Sequence, residues 1–143
     1  MNRFKVITSV CLFLIKENKI LLLRRKNTGY EDGNYGLPSG HVEDNEPFTL
    51  AMQRETKEEI GITVLKDDLS LVHIMHRKEK DIKVDIFFTT KIWNGDPINT
   101  EPDLCDNLQW FPLDNLPENT IGYVKVAIDN FKNNLLYSEI GWT

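Results

Sequence analysis

At 143 residues, with 41% hydrophobic and 27% charged side chains, the chain is long enough to bury a core and is sized for one domain over residues 1–143. A formal net charge of −5 and the lack of a basic stripe disfavour a nucleic-acid backbone as partner, while a small nucleotide arriving with its metal stays compatible. The apolar run at residues 4–15 is too short to span a membrane and has no signal-peptide cleavage pattern, so no membrane partner is expected.

Residues 4–15 (FKVITSVCLFLI) read as a strand, 16–19 as a turn and 20–25 (ILLLRR) as a second strand, which together predict a hairpin. Residues 27–35 form a loop by their Gly, Asn and Asp content. Pro38 limits residues 35–40 to a short, edge-like or irregular strand. A helix follows over about residues 47–60. Asp44 or Asn45 provides the N-cap region, Pro47 suits the first turn and Gly61 ends the helix. Phe48, Leu50, Ala51, Met52 and Ile60 offer its apolar contacts. Residues 69–75 and 84–93 read as strands around a charged turn at 76–81. Residues 94–119 carry six acids, four prolines and no Lys or Arg, which predicts mostly loop with a short strand at 108–111. Val124, Ile128, Phe131 and Leu135 recur at helical spacing, so an amphipathic helix is expected over about residues 120–136. The last seven residues, YSEIGWT, favour no state. Strands on either side of one helix, with a second helix near the end, predict an α/β fold with a mixed sheet covered on both faces.

Residues 40–62 (GHVEDNEPFTLAMQRETKEEIGI) concentrate acid. Glu55, Glu58 and Glu59 stand at i, i+3 and i+4, so a helix projects them from one face, one turn apart. Like charges at that spacing destabilise a helix unless something compensates. A hard divalent cation such as Mg²⁺ does so, because it takes oxygen ligands and keeps positions for water and phosphate. An E-x-x-E-E cluster alone is most often a solvated helix face. The flanking residues change that reading: Gly40, then Glu46, then Arg54 and Glu55, then Glu58 and Glu59, then Gly61 and the apolar Ile62. This resembles the Nudix box, matched at eight specified positions over 23 residues. The one departure is Thr56, where the family usually has an aliphatic residue.

The resemblance implies an α/β/α sandwich and Mg²⁺-dependent hydrolysis of pyrophosphate linkages, with Mn²⁺ as a substitute. It implies Glu55 and Glu59 as principal metal ligands, with Glu58 contributing. It also implies approach of the Gly40 carbonyl to the metal, and Arg54 with Glu46 as the brace of the carboxylates. Glu55, Glu58 and Arg54 make up the expected catalytic set. The general base is Glu55 or an acid from a later loop, for which Glu79, Glu101 and Asp103 are the candidates.

Arg24 or Arg25 could bind a phosphate, and strand alternation predicts that one of the two faces the site. His41 stands where several MutT-like members have a lysine and is a candidate phosphate contact. Trp93, Trp110 and Phe111 are candidate stacking groups, with core packing the commoner use of such residues. Trp110 opens a segment that resembles one just before the last helix of MutT-like proteins. Asn99, Glu101 and Asp103 could read a base edge by hydrogen bonding. A nucleoside triphosphate is the first expected substrate, with oxidised purine nucleotides such as 8-oxoguanine nucleotides among the choices. ADP-ribose, a nucleotide sugar or a dinucleotide is the second. A ligand sensor without turnover is the third, and the intact carboxylate set argues against it.

His73 and His76 form H-x-x-H in a strand-to-turn context, which does not put them on one face for zinc. Ser39 lies outside a nucleophile elbow. Cys11 and Cys105 lack metal-ligand spacing and suggest a reducing cytoplasm. A homodimer is compatible with the sequence, which carries no assembly signal.

Overall fold

Strand β1 (Ile7–Lys16) is the centre of the fold in the computed structural model, which describes residues 2–143. Val10, Leu12 and Leu14 face one side of it and Cys11 and Phe13 the other, and all five are fully buried. A strand covered on both faces needs an unbroken apolar run, and residues 10–14 supply it. Glu17 and Asn18, at φ 54° and 62°, turn the chain into β2 (Lys19–Arg25). Two left-handed residues suit the twist of a tight hairpin. Only Ile15 with Ile20 and Lys16 with Lys19 pair across it.

Beyond that turn the two strands diverge. β2 pairs with β3 (Tyr35–Gly36) and with β7 (Cys105–Pro112), both antiparallel. β1 pairs antiparallel with β4 (Ser39–His41) and parallel with β6 (Ile82–Thr90). β5 (Ser70–Lys78) runs antiparallel to β6, and β8 (Tyr137–Ile140) parallel to β5. The result is an eight-stranded mixed sheet.

Helices α1 (Phe48–Ile60) and α2 (Gly122–Lys132) cover opposite faces. Ala51, Met52 and Ile60 of α1 pack with Val10, Leu12 and Leu14. Val124, Ala127 and Ile128 of α2 pack with Cys11 and Phe13. Phe13 also lies against Phe87 and Phe131, with ring centroids 5.3 Å and 5.0 Å away. Truncating such a side chain to Ala costs roughly 3–5 kcal/mol. The α/β/α sandwich expected from the sequence is therefore present.

Several boundaries differ from the sequence reading, each for a physical reason. Neither Asp44 nor Asn45 caps α1: Pro47, extended at φ −62° and ψ 151°, holds the N-cap without a side-chain bond. Leu50 stays exposed because it lies off the stripe formed by Met52, Thr56 and Ile60, and Phe48, the first residue of the helix, is 44% exposed. Thr56 is buried at the position where the family favours an aliphatic side chain. Its hydroxyl donates to the Met52 carbonyl at 2.9 Å, so it needs no outside partner. Gly61 closes the helix at φ 71°, as its spacing predicts. β5 runs on to Lys78, so His76 and Arg77 belong to a strand and the turn shrinks to residues 79–81. β7 begins at Cys105, three residues before the expected strand. Leu135 lies beyond the end of α2 and is 52% exposed.

The C-terminal tail forms β8. His73 holds it, with Nδ1 2.8 Å from the Leu135 carbonyl and Nε2 2.7 Å from the Ser138 hydroxyl. A carbonyl only accepts, so Nδ1 carries the proton and Nε2 accepts from Ser138. His76 instead packs its ring on Trp142, so the two histidines form no shared site. Cys11 and Cys105 are both buried free thiols. No described helix is long and apolar enough to cross a membrane.

Candidate active site

The C-terminal half of α1 faces the ends of β2, β4 and β7 across a cleft of about 190 Å³. Glu55, Glu58, Glu59 and Glu101 line it, together with Arg24, Arg25, Ser39 and Cys105. Glu59 accepts the Ser39 backbone N–H at 2.8 Å. A Cβ at Gly40 would overlap the Glu55 carboxyl group, so the carboxylate takes this position against β4 only with glycine there. Besides the approach of its carbonyl to a metal that the resemblance implies, Gly40 makes room for the Glu55 carboxyl group.

Arg54 stands behind the cleft and braces it. Its Nε and Nη2 donate to the two Glu46 oxygens at 2.7 and 2.9 Å, the bidentate arrangement a planar guanidinium favours. Nη1 donates to Glu55 at 2.7 Å and reaches Glu58 at 3.5 Å, while Nη2 also donates to the His41 carbonyl at 3.1 Å. Glu46 closes the network by accepting the Glu43 backbone N–H at 3.0 Å. One arginine thus ties α1 to the loop before it and to β4. It does not line the cleft itself.

Burial raises the Glu55 carboxyl above its ordinary range, opposed by Arg54 and reinforced by Glu58 and Glu101. Burial raises Glu59 further, against the Ser39 N–H, with Glu55 and Glu101 adding repulsion. Hydrogen bonds from Arg54 pull Glu46 down to about 2. The acids near the cleft therefore differ: Glu46 takes both Nε and Nη2 of Arg54, Glu55 shares what remains of that guanidinium with Glu58, and Glu59 is hydrogen-bonded by a backbone N–H. This excess of oxygen donors fits a hard divalent cation. As the side chains stand, no three acidic, His or Cys groups among the described residues gather tightly enough to share an ion. Glu55 and Glu58 are turned toward Arg54, and Glu58 is 56% exposed.

Of the three loop acids, one lies in the cleft. Glu101 lines it, and its carboxylate makes no hydrogen bond or ion pair among the described residues. Glu79 is held by Arg77 and by the Tyr30 hydroxyl. Asp103 is exposed and outside the cleft lining. Asn99 spends its amide internally, accepting the Glu101 N–H at 3.0 Å and donating to the Cys105 carbonyl at 2.7 Å.

Both Arg24 and Arg25 line the cleft. A register shift between them against β7 removes the alternation that would have sent one away. Arg24 is neutralised by Asp106 at 2.6 Å. Arg25 has no carboxylate partner among the described residues; its Nε donates to the Tyr30 carbonyl at 2.7 Å. Trp110 does not line the cleft. It stacks on Trp93 at 6.3 Å, toward the far end of β7 and roughly 16 Å along the strand from Cys105. Phe111 packs in the core against Tyr35.

A second cleft of about 410 Å³ opens on the other side of Ser39 and Arg25, which line both. Gly40, His41, Tyr30, Lys83, Arg77 and Tyr123 line it. Two cations lie over the Tyr30 ring, with Arg25 5.5 Å and Lys83 5.2 Å from its centroid. Below them Arg77, 4% exposed, pairs with the buried Asp85 at 2.8 and 3.1 Å and stacks on Tyr123 at 3.7 Å. The sequence reading passed over this group. The signal was Asp85, the one acid of β6, set between Val84 and Ile86, which calls for a buried partner.

A family model described as NUDIX domain matches residues 5–129. The ADP-ribose pyrophosphatase of Methanocaldococcus jannaschii is 33% identical over 115 residues, which are 80% of this chain and 66%, just under two thirds, of that protein. The 8-oxo-dGTP diphosphatase of Buchnera aphidicola subsp. Schizaphis graminum is 30% identical over 103 residues, 72% of this chain and 75% of that protein. The crystal structure of a MutT NUDIX hydrolase from Burkholderia pseudomallei superimposes with a TM-score of 0.81 at 28% identity, covering 88% of this chain and 98% of that one. A MutT protein from Methanosarcina mazei shares the fold, with a TM-score of 0.78 at 23% identity over 90% of this chain and 94% of that one.

Proposed function

The chain belongs to the NUDIX family of hydrolases, and on that premise we propose that it cleaves a phosphoanhydride link in a nucleoside diphosphate derivative with the help of a divalent cation, Mg²⁺ or Mn²⁺. Nucleoside triphosphates, oxidised purine nucleotides included, are the first substrate class. The observation that carries this reading is the convergence in one cleft of Glu55, Glu58, Glu59 and Glu101 with Arg25, which has no carboxylate partner among the described residues.

When bound, the cation acts as a Lewis acid and a template for phosphate oxygens. Glu55, Glu58 and Glu59 would hold it, which takes Glu55 and Glu58 off Arg54. Glu101, whose carboxylate makes no hydrogen bond among the described residues, accepts the proton of the attacking water. Arg25 neutralises a phosphate at the boundary of the two clefts. The remainder of the substrate extends into the second cleft, whose free groups are mainly donors: the Lys83 ammonium, the Arg25 guanidinium, and the Ser9 and Tyr123 hydroxyls. That set suits an acceptor-rich group such as a further phosphate.

A second reading, ADP-ribose or another nucleotide sugar, is supported by the Methanocaldococcus relative. A substrate panel separates the two. Nucleoside monophosphate with pyrophosphate as products supports the first reading, and AMP with a sugar phosphate supports the second. Binding without cleavage across the panel would overturn both.

A further inference from the structure

Residues 98–101 run beside the last turn of α1, and we propose that Asn99 is a positioning residue that fixes Glu101 in the cleft, with Thr100 tying the same segment to the helix. The inference rests on the reading of Glu101 as the group that takes the proton from water.

A helix leaves its last carbonyls without intrahelical partners. In α1 this one segment satisfies three of them in succession. Ile98 N–H donates to the Ile60 carbonyl at 2.9 Å and Thr100 N–H to that of Glu59 at 3.3 Å. The Thr100 hydroxyl donates to the Glu58 carbonyl. Two of the three carbonyls belong to the glutamates assigned to the cation. Gly61 permits the approach: a Cβ there would meet Ile98 Cγ1 at 3.1 Å and Thr100 Cγ2 at 3.4 Å.

Glu101 is held from both ends of its backbone. Its N–H donates to Asn99 Oδ1 at 3.0 Å, and its carbonyl accepts the Leu104 and Cys105 N–H groups at 2.9 and 3.0 Å. Asn99 Nδ2 donates to the Cys105 carbonyl at 2.7 Å, so one amide joins Glu101 to the first residue of β7. The Glu101 carboxylate itself is left unbound among the described residues. Its place opposite Glu55, Glu58 and Glu59 is therefore set by Asn99 and Thr100, and its oxygens stay free for water. A misplacement of about 1 Å at such a group can cost ~100-fold in rate.

The test is a double-mutant cycle of Asn99→Ala and Glu101→Gln on the full chain with Mg²⁺. Asn99→Ala is expected to lower kcat about tenfold or more at unchanged KM, and the double variant to be no slower than Glu101→Gln alone. Asn99→Asp keeps the acceptor for the Glu101 N–H and is expected to recover part of kcat. Amide hydrogen exchange reads the positioning without turnover: the Glu101 amide should exchange faster in Asn99→Ala while the amides of β1 stay protected. Additive effects, wild-type kcat in Asn99→Ala or unchanged exchange at Glu101 would each overturn the proposal. Wild-type kcat in Glu101→Gln would overturn it together with the proton-acceptor assignment, while loss of turnover in Glu59→Gln would leave the hydrolase reading standing.

Discussion

Gly40 and Glu55 share one space: the carboxyl group of Glu55 lies where a side chain at Gly40 would begin. The clash falls on the end of a flexible side chain, so Gly40→Ala is expected to displace the carboxylate and leave the fold in place. Because β4 and α1 meet there, the displacement acts on the cleft directly. Turnover should fall by about 100-fold, the effect of a small misplacement at a reacting centre, with little change in Tm. Steady-state kinetics beside thermal melts check this; unfolding of the variant would show that the contact is structural first.

Glu59 links pH, metal and stability. Its carboxyl is raised well above the ordinary range, first by burial. An acid raised by folding keeps its proton longer in the folded state than in the unfolded one. Its contribution is therefore most favourable at low pH and declines as pH rises past the ordinary value of 4.5. Metal-free Glu59→Gln should melt above the wild type near neutral pH, and the difference should vanish in acid. Mg²⁺ should raise the wild-type Tm and leave that of Glu59→Gln nearly unchanged. Melts at several pH values with and without Mg²⁺ measure both effects.

Glu46 has the opposite sign. Arg54 holds it at about 2, below its usual 4.5, so its contribution is complete above pH 4.5 and is lost as pH falls toward 2. Glu46→Gln is expected to flatten the acid limb of the Tm profile in that window. It should also lower turnover, since Arg54 would be left with Glu55 and Glu58 as its carboxylate partners on α1. An acid limb identical to that of the wild type would contradict the brace.

Lys83 tests the second cleft. Its ammonium lies over Tyr30 and makes no ion pair among the described residues. Lys83→Gln should raise KM several-fold for substrates carrying a further phosphate, with kcat largely kept, because the residue lies outside the lining of the carboxylate cleft. Equal effects on triphosphate and diphosphate substrates would remove the proposed phosphate contact. Parallel kinetics on the two substrates decide it.

The legible parts of the sequence were those in which local offsets determine geometry. Glu55, Glu58 and Glu59 share a face because they lie on one helix, and the run of residues 10–14 implies a strand covered on both sides. Parts decided between distant segments were harder to read. The tail forms β8 because His73, 65 residues earlier, bonds Ser138. Arg24 and Arg25 both reach the cleft because β7 shifts register between them. Asn99 offered base-reading chemistry on paper, and its amide is used to hold Glu101. Trp110 resembled a pocket residue and stacks on Trp93 instead.

The most direct test of the central claim is hydrolysis of a nucleoside triphosphate and of ADP-ribose in isotope-labelled water, with and without Mg²⁺, by the wild type, Glu58→Gln and Glu59→Gln. The account predicts Mg²⁺-dependent cleavage of at least one of them by the wild type, with labelled oxygen on a phosphate product. It also predicts loss of most turnover in both variants while their folds are kept. Near-wild-type turnover in both variants, or substrate binding without cleavage by the wild type, would contradict it.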